Sequence, residues 1–214
     1  MKAKKYCFNG EKNLKLDKIA TNSKADKVSK DTILKKTAEN QAKISALQEK
    51  LYADGREGVI LVLQAIDAAG KDSTVKHVMS GINPQGVDVI SFKQPNSEEL
   101  AHDFLWRVNK HLPQRGKIGI FNRSYYEDVL VVQVHKINRS YHMADRITKM
   151  DDDEFFSKRY AHIRNYEEYL YDNSYRIVKV FLNVSKEEQK ERFLERIDNP
   201  DKNWKFDEGD LKER

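Results

Sequence analysis

Ten consecutive residues, Ala65-Ile66-Asp67-Ala68-Ala69-Gly70-Lys71-Asp72-Ser73-Thr74, carry the side chains best suited to handling phosphate. They overlap the end of a near-continuous apolar run, Gly58–Ile66, and read as a strand feeding a tight turn and then a helix. The first N–H groups of such a helix point at an anion, and Lys71 adds positive charge for phosphate oxygens. Against the pattern G-x-x-x-x-G-K-[ST], Ala65 stands at the first glycine and Asp72 at the final hydroxyl. Ser73 or Thr74 is then the hydroxyl able to approach a metal. Asp67 would repel an anion held by its own loop unless a cation sat between them, and magnesium (Mg2+) ligation resolves that conflict. The alternative is an ordinary strand–turn–helix junction, with Lys71 a surface lysine and Asp67 a turn former.

A second cluster follows the apolar segment Lys117–Phe121: Asn122-Arg123-Ser124-Tyr125-Tyr126-Glu127-Asp128. Many phosphate-loop enzymes place a metal-binding aspartate at this strand end, where this chain has Asn122. Arg123 has the chemistry of a phosphate clamp or of a stabiliser of transition-state charge. Ser124-x-x-Glu127 also fits a capping box, which accounts for both residues without chemistry but leaves Arg123 unexplained. Lys93 holds the equivalent place after Val87–Phe92, and Asn96-x-x-Glu99 marks another helix start.

These residues need a scaffold, and the apolar pattern supplies one. Helices are expected over Asp31–Tyr52, Gly70–Met79, Ser97–Leu112, Ser124–Val134 and Ser185 to about Ile197. Strands are expected over Gly58–Ile66, Val87–Phe92, Lys117–Phe121 and Tyr175–Leu182. The alternation implies an α/β protein with a parallel sheet and helices on both faces, in which ligands sit beyond the carboxyl ends of the strands. A long insertion, His135–Asp172, precedes the last of these strands. Its Asp151-Asp152-Asp153-Glu154 run reads as a solvated helix N-terminus rather than a metal site.

Charge narrows the partners. The 214 residues include 39 Lys and Arg against 34 Asp and Glu, for a net charge of +5. The excess is concentrated. Residues 1–36 hold 11 Lys against 4 acids, and residues 105–149 hold 9 basic against 3 acidic residues. A nucleic-acid binder is expected to be more uniformly basic, so none is predicted as a partner. No apolar run approaches the roughly 20 residues of a membrane span, and no signal peptide follows Met1. The single cysteine, Cys7, excludes an internal disulfide framework. The expectation is a cytoplasmic protein with a basic arm at residues 1–30 and one domain at 31–214.

Two blocks, QAIDAAGKDSTVKHVMSGINPQGVDVISFK and EELAHDFLWRVNKHLPQRGKIGIFNRSYYEDVLVVQVH, together with ERFLERIDNPDKNWKF (Glu191–Phe206), resemble the polyphosphate kinase 2 family. The similarity runs from about Leu51 to the C-terminus. It implies a three-layer P-loop kinase fold and phosphoryl transfer between inorganic polyphosphate and AMP, ADP or ATP, with Mg2+ and in a homo-oligomer. The Asn122…Glu127 arrangement resembles the subgroup acting on both AMP and ADP, whereas the ADP-only subgroup usually has aspartate at the first position.

By that resemblance Asp67 and Lys71 form the phosphate-loop pair, flanked by Ala68, Ala69, Gly70, Asp72, Ser73 and Thr74. Asn122 and Arg123 form the strand-end pair, and Glu127 lies near the acceptor phosphate or a second metal. Arg196 reaches the phosphates from the lid side. The insertion at about 135–172 is the lid, with Arg139, Arg146 and Lys149 as polyphosphate contacts or, equally, as an exposed charged face. Two departures stand out. Gln133 replaces a common arginine, and family members continue past Leu211-Lys212-Glu213-Arg214 into a further helix and strand. The expectation is a C-terminally short domain with an unpaired sheet edge. Two rival functions share the loop: an ATP-dependent small-molecule kinase, and a non-catalytic polyphosphate- or nucleotide-binding protein.

Overall fold

A computed structural model describes residues 6–11, 13–22 and 27–200. The expectations for Leu211–Arg214 and for the end of Glu191–Phe206 fall outside this range, as do parts of the basic arm. The elements run in the order α1 (Lys30–Asp54), β1 (Gly58–Gln64), α2 (Lys71–Val78), β2 (Val87–Ser91), α3 (Ser97–Leu100), α4 (Trp106–Asn109), β3 (Ile118–Asn122), α5 (Val131–Val134), α6 (Asp145–Thr148), α7 (Asp152–Asp172), β4 (Tyr175–Phe181) and α8 (Lys186–Asp198). Short 3-10 turns lie at Leu16–Lys18, Pro84–Gly86, Tyr125–Val129 and Ile137–Ser140.

The four strands form one parallel sheet in the order β2-β3-β1-β4. β1 is central, with β3 on one side and β4 on the other. Its apolar run follows from that place, because a strand covered on both faces has no polar side to show. Ile60, Val62 and Leu63 are accordingly buried. The fold class is the expected α/β one. No helix among the described residues is long and apolar enough to cross a membrane.

The chain divides into two compact units. The larger comprises Asn40–Gln64 and Lys71–Phe181 and holds the whole sheet. Its core joins Ile60, Val62 and Phe121 of the strands to Phe155, Phe156, Ile163, Tyr166 and Leu170 of α7. The smaller comprises Met1–Glu39, Ala65–Gly70 and Leu182–Arg214, and so contains the loop that leaves β1 together with α8. Within it Phe193 and Gln189 of α8 are buried.

Two expected helices are corrected. Ser97–Leu112 is broken into α3 and α4, because Asp103 starts a new turn: its side chain accepts the Leu105 N–H (2.9 Å) and its carbonyl accepts the Trp106 N–H (3.0 Å). An aspartate that bonds nearby backbone in this way competes with helix propagation. Asn96 and Glu99 do form the expected capping box at the start of α3. Ser124–Val134 is likewise a 3-10 turn followed by α5, with Leu130 at φ −109°, ψ −78° between them. The Ser124–Glu127 capping box does not form. Ser124 Oγ accepts from the Tyr126 N–H (3.2 Å), and the Glu127 carboxylate is bonded elsewhere. The acidic run behaves as expected, with Asp151 capping α7 and Asp152, Asp153 and Glu154 in its first turn.

Candidate active site

In the larger unit the site grows from the carboxyl ends of β1 and β3. Asn122, buried at the end of β3, donates from Nδ2 to Asp72 Oδ1 at 2.7 Å. Asp72 therefore does more than fill the hydroxyl position of the loop pattern. It ties the first turn of α2 to the strand end, where a carboxylate is also favoured by the helix dipole. Lys71 opens α2, with Ser73 and Thr74 in the same turn.

Arg123 follows at φ +64°, a left-handed backbone that costs a residue with a Cβ about 1 kcal/mol or more. Its N–H donates to the Leu63 carbonyl (3.1 Å), and its Nη1 lies 3.4 Å from Glu127 Oε2. Glu127 Oε1 accepts from Nε2 of Gln64, the last residue of β1, at 2.9 Å. A chain Gln64–Glu127–Arg123 thus links the ends of two neighbouring strands. Strained residues of this kind persist only where their surroundings over-determine them, and they cluster at functional sites.

The segment His135–Asp172 braces the Tyr125–Val129 turn. The hydroxyls of Tyr125 and Tyr126 both donate to Glu167 Oε1 of α7 (2.9 and 2.8 Å), and Lys179 of β4 reaches Glu167 Oε2 at 2.6 Å. Asp128 pairs with Arg159 of α7 at 3.1 Å and accepts the Tyr141 hydroxyl at 3.0 Å. Burial, reinforced by the Glu167 carboxylate, pushes the Tyr126 phenol up to about 12 and that of Tyr125 higher. Burial also raises Asp128, against the opposing pull of the Arg159 cation.

Sequence reasoning missed Arg107. Its Nη2 donates to the Lys93 carbonyl (2.8 Å), its Nε lies 3.5 Å from Glu99, and its guanidinium covers the Phe92 ring at 5.0 Å. Burial lowers its pKa while Glu99 and Glu127 pull the other way. An arginine one residue past a tryptophan in an amphipathic segment gave no signal of this. Lys93 itself is exposed. Of the three cations expected to meet polyphosphate, Arg139 is held inside the segment His135–Asp172 by the Thr148 and Met150 carbonyls (3.1 and 3.0 Å) and by Asp152 (2.8 Å). Lys149 pairs with Asp145 at 2.5 Å, and Arg146 is exposed. Gln133 accepts the Tyr160 hydroxyl at 3.1 Å.

In the smaller unit the loop Ala65–Gly70 is gripped by α8. Gln189 Nε2 donates to the Asp67 carbonyl (3.0 Å), and Arg192 Nη1 donates to those of Ala68 (3.2 Å) and Ala69 (2.6 Å). Ala68 is left-handed at φ +59° and Gly70 lies at φ +94°. Arg192 is steadied by Glu188 at 2.7 Å. The resemblance assigned a phosphate role to Arg196, whose guanidinium lies 5.5 Å over the Phe193 ring, and gave none to Arg192 one turn earlier. No group of three or more His, Cys, Asp or Glu suited to a metal occurs among the described residues.

A parallel sheet, a glycine-containing loop leading into a lysine-headed helix, and an arginine at a neighbouring strand end define a P-loop kinase fold. The chain belongs to the polyphosphate kinase 2 family, which it matches over residues 27–214. It is 53% identical over 174 residues to an ADP-polyphosphate phosphotransferase of Rhodopseudomonas palustris, covering 80% of this chain and 59% of that protein. It is 46% identical over 185 residues to an AMP/ADP-polyphosphate phosphotransferase of Meiothermus ruber, covering 86% of this chain and 64% of that one. The crystal structure of polyphosphate kinase 2 from Arthrobacter aurescens superimposes with a TM-score of 0.83 at 39% identity, over 96% of this chain and 69% of that chain. The chain thus spans about three fifths of the length of these two curated relatives.

Proposed function

We propose that the chain transfers the terminal phosphoryl group of inorganic polyphosphate to AMP, ADP or both, reversibly and with Mg2+. The observation that carries this reading is the family match over residues 27–214, a span that contains Asp67, Lys71, Asn122, Arg123 and Glu127. The nucleotide phosphate is the nucleophile. With a second pKa of about 6 it is largely ionised at neutral pH, so no strong general base is required. Catalysis then rests on positioning and on neutralising charge spread over the transferring group. Lys71 and Arg123 supply fixed positive charge, with Arg196 and Arg107 as further cations of the site.

Asp67 would hold the magnesium ion, and each Glu127 oxygen, having accepted one hydrogen bond, keeps a lone pair for a second ion. Bound there, the metal would supply positive charge against that of the phosphates. A homo-oligomer in the cytoplasm, where AMP, ADP and ATP occur, fits this reading.

The test is incubation with magnesium and polyphosphate plus AMP or ADP, following ADP and ATP. Polyphosphate-dependent formation of either nucleotide is expected. Product formed only when ATP replaces polyphosphate as donor, or tight binding with no transfer, overturns it.

A further inference from the structure

Three consecutive carbonyl oxygens of the β1–α2 loop, those of Asp67, Ala68 and Ala69, are all taken by two side chains of α8. Gln189 and Arg192 are three residues apart, so they lie on one face of the helix. Gln189 is buried, and a buried amide stays only where its hydrogen bonds are met. A helix with a purely packing role would not spend a buried glutamine and an arginine on adjacent peptide groups.

The consequence follows from peptide geometry. In a planar trans peptide the C=O and the following N–H point in opposite directions. Turning the Asp67 and Ala69 carbonyls toward α8 therefore directs the Ala68 and Gly70 N–H groups away from it. The Ala69 N–H instead closes the turn onto the Ile66 carbonyl at 3.3 Å. The same contacts keep three partially negative oxygens off the side of the loop that an anion would approach. They also hold Ala68 in a left-handed conformation that a Cβ disfavours.

We infer that Gln189 and Arg192 are positioning residues for phosphate: α8 fixes the Asp67–Gly70 backbone as an anion cradle by binding its carbonyls, rather than by offering its own charge to the substrate. This rests on reading the loop as the phosphate-binding element. It assigns Arg192 a role distinct from that of a cation touching the polyphosphate chain.

The experiment measures calorimetric binding of inorganic tripolyphosphate to the full chain, with phosphoryl transfer from polyphosphate assayed in parallel. Arg192→Met is expected to weaken tripolyphosphate about tenfold, since two buried carbonyls lose their donor. Gln189→Met, which changes no charge, should weaken it about threefold or more. Ala68→Gly tolerates the left-handed backbone without a Cβ, so in either background it should restore about threefold, more than it adds to the unsubstituted chain.

Loss in Arg192→Met without recovery by Ala68→Gly would mean that the arginine acts through its charge, and would overturn the proposal. So would unchanged binding in Gln189→Met, or no tripolyphosphate binding by the unsubstituted chain. If Arg192→Met does not fold, the Gln189→Met and Ala68→Gly pair decides by the same criterion. Binding that follows the expected pattern in a chain that transfers no phosphoryl group would leave the cradle standing and sink the kinase reading alone.

Discussion

The loops that follow β1 and β3 both place one residue other than glycine in the left-handed region, Ala68 in the first and Arg123 in the second. They hold it by opposite means. After β1 the contacts run from side chains of α8 to main-chain carbonyls, and the loop's own side chains at 68 and 69 are methyl groups. After β3 one main-chain bond, Arg123 N–H to the Leu63 carbonyl, is joined by contacts between side chains, Asn122 to Asp72 and Gln64 to Glu127, with Arg123 on the second pair. A surface made of peptide groups depends on remote residues that hold the backbone in place. A surface made of side chains depends on the residues themselves. The first loop should therefore be broken from α8, and the second from its own side chains and from the α7 residues that brace the Tyr125–Val129 turn.

Lys71→Ala and Arg123→Ala remove charge directly, and each should lower turnover about 100-fold or more, as lost transition-state donors do. Turnover within a few fold of the unsubstituted chain, in a folded variant, would end the side-chain account of the second loop. Asp128→Ala leaves Arg159 buried without its partner and should cost about 3–5 kcal/mol in a urea melt. That change tests whether α7 underpins the turn carrying Glu127, because the two side chains are only 10% and 13% exposed.

Asn122→Asp sets a carboxylate against Asp72 in place of a donated hydrogen bond, at a cost of about 1–3 kcal/mol. By the family resemblance it should also move the ratio of kcat/KM for the two acceptors from AMP toward ADP. Gly70→Ala should cost about 1–3 kcal/mol, since φ is +94° and the new Cβ would sit 3.1 Å from Arg192 Nη1.

The smallest effect concerns alkaline pH. Tyr126 has its folded-state pKa raised from 10.0 to about 12, so its contribution to stability is complete below pH 10 and is lost as the pH climbs toward 12. Tyr126→Phe should make that part of the stability profile less steep, with Tyr125, Tyr141 and Tyr166 still contributing, and tyrosinate absorbance should show Tyr126 ionising later than exposed tyrosines.

Periodicity revealed the four strands to within one or two residues: β1 and β3 as apolar runs that are mostly buried, β2 and β4 as short segments in which β-branched and aromatic residues are interspersed with polar ones. It failed where one side chain redirects the backbone. Asp103 interrupts Ser97–Leu112, and the Tyr125 and Tyr126 hydroxyls draw the 3-10 turn onto Glu167, 41 or more residues away in sequence. The candidate residues Asp67, Lys71, Asn122 and Arg123 stood out by their places at strand ends, and Glu127 by the family resemblance. Gln64, Arg107, Gln189 and Arg192 did not. Their contacts are made with other elements of the chain, and nothing local separates Gln189 from any other glutamine on a charged helix.

The central place of β1 has a dynamic consequence. Its amides and carbonyls are bonded on both sides, to β3 and to β4, while β2 has a single partner strand among the described residues. Backbone amides of β1 should then exchange with solvent only through the most costly openings of the molecule, and those of β2 through cheaper ones. The loop that leaves β1 thus departs from the slowest-exchanging segment of the sheet. Hydrogen exchange followed along the chain would show protection falling off abruptly beyond Gln64.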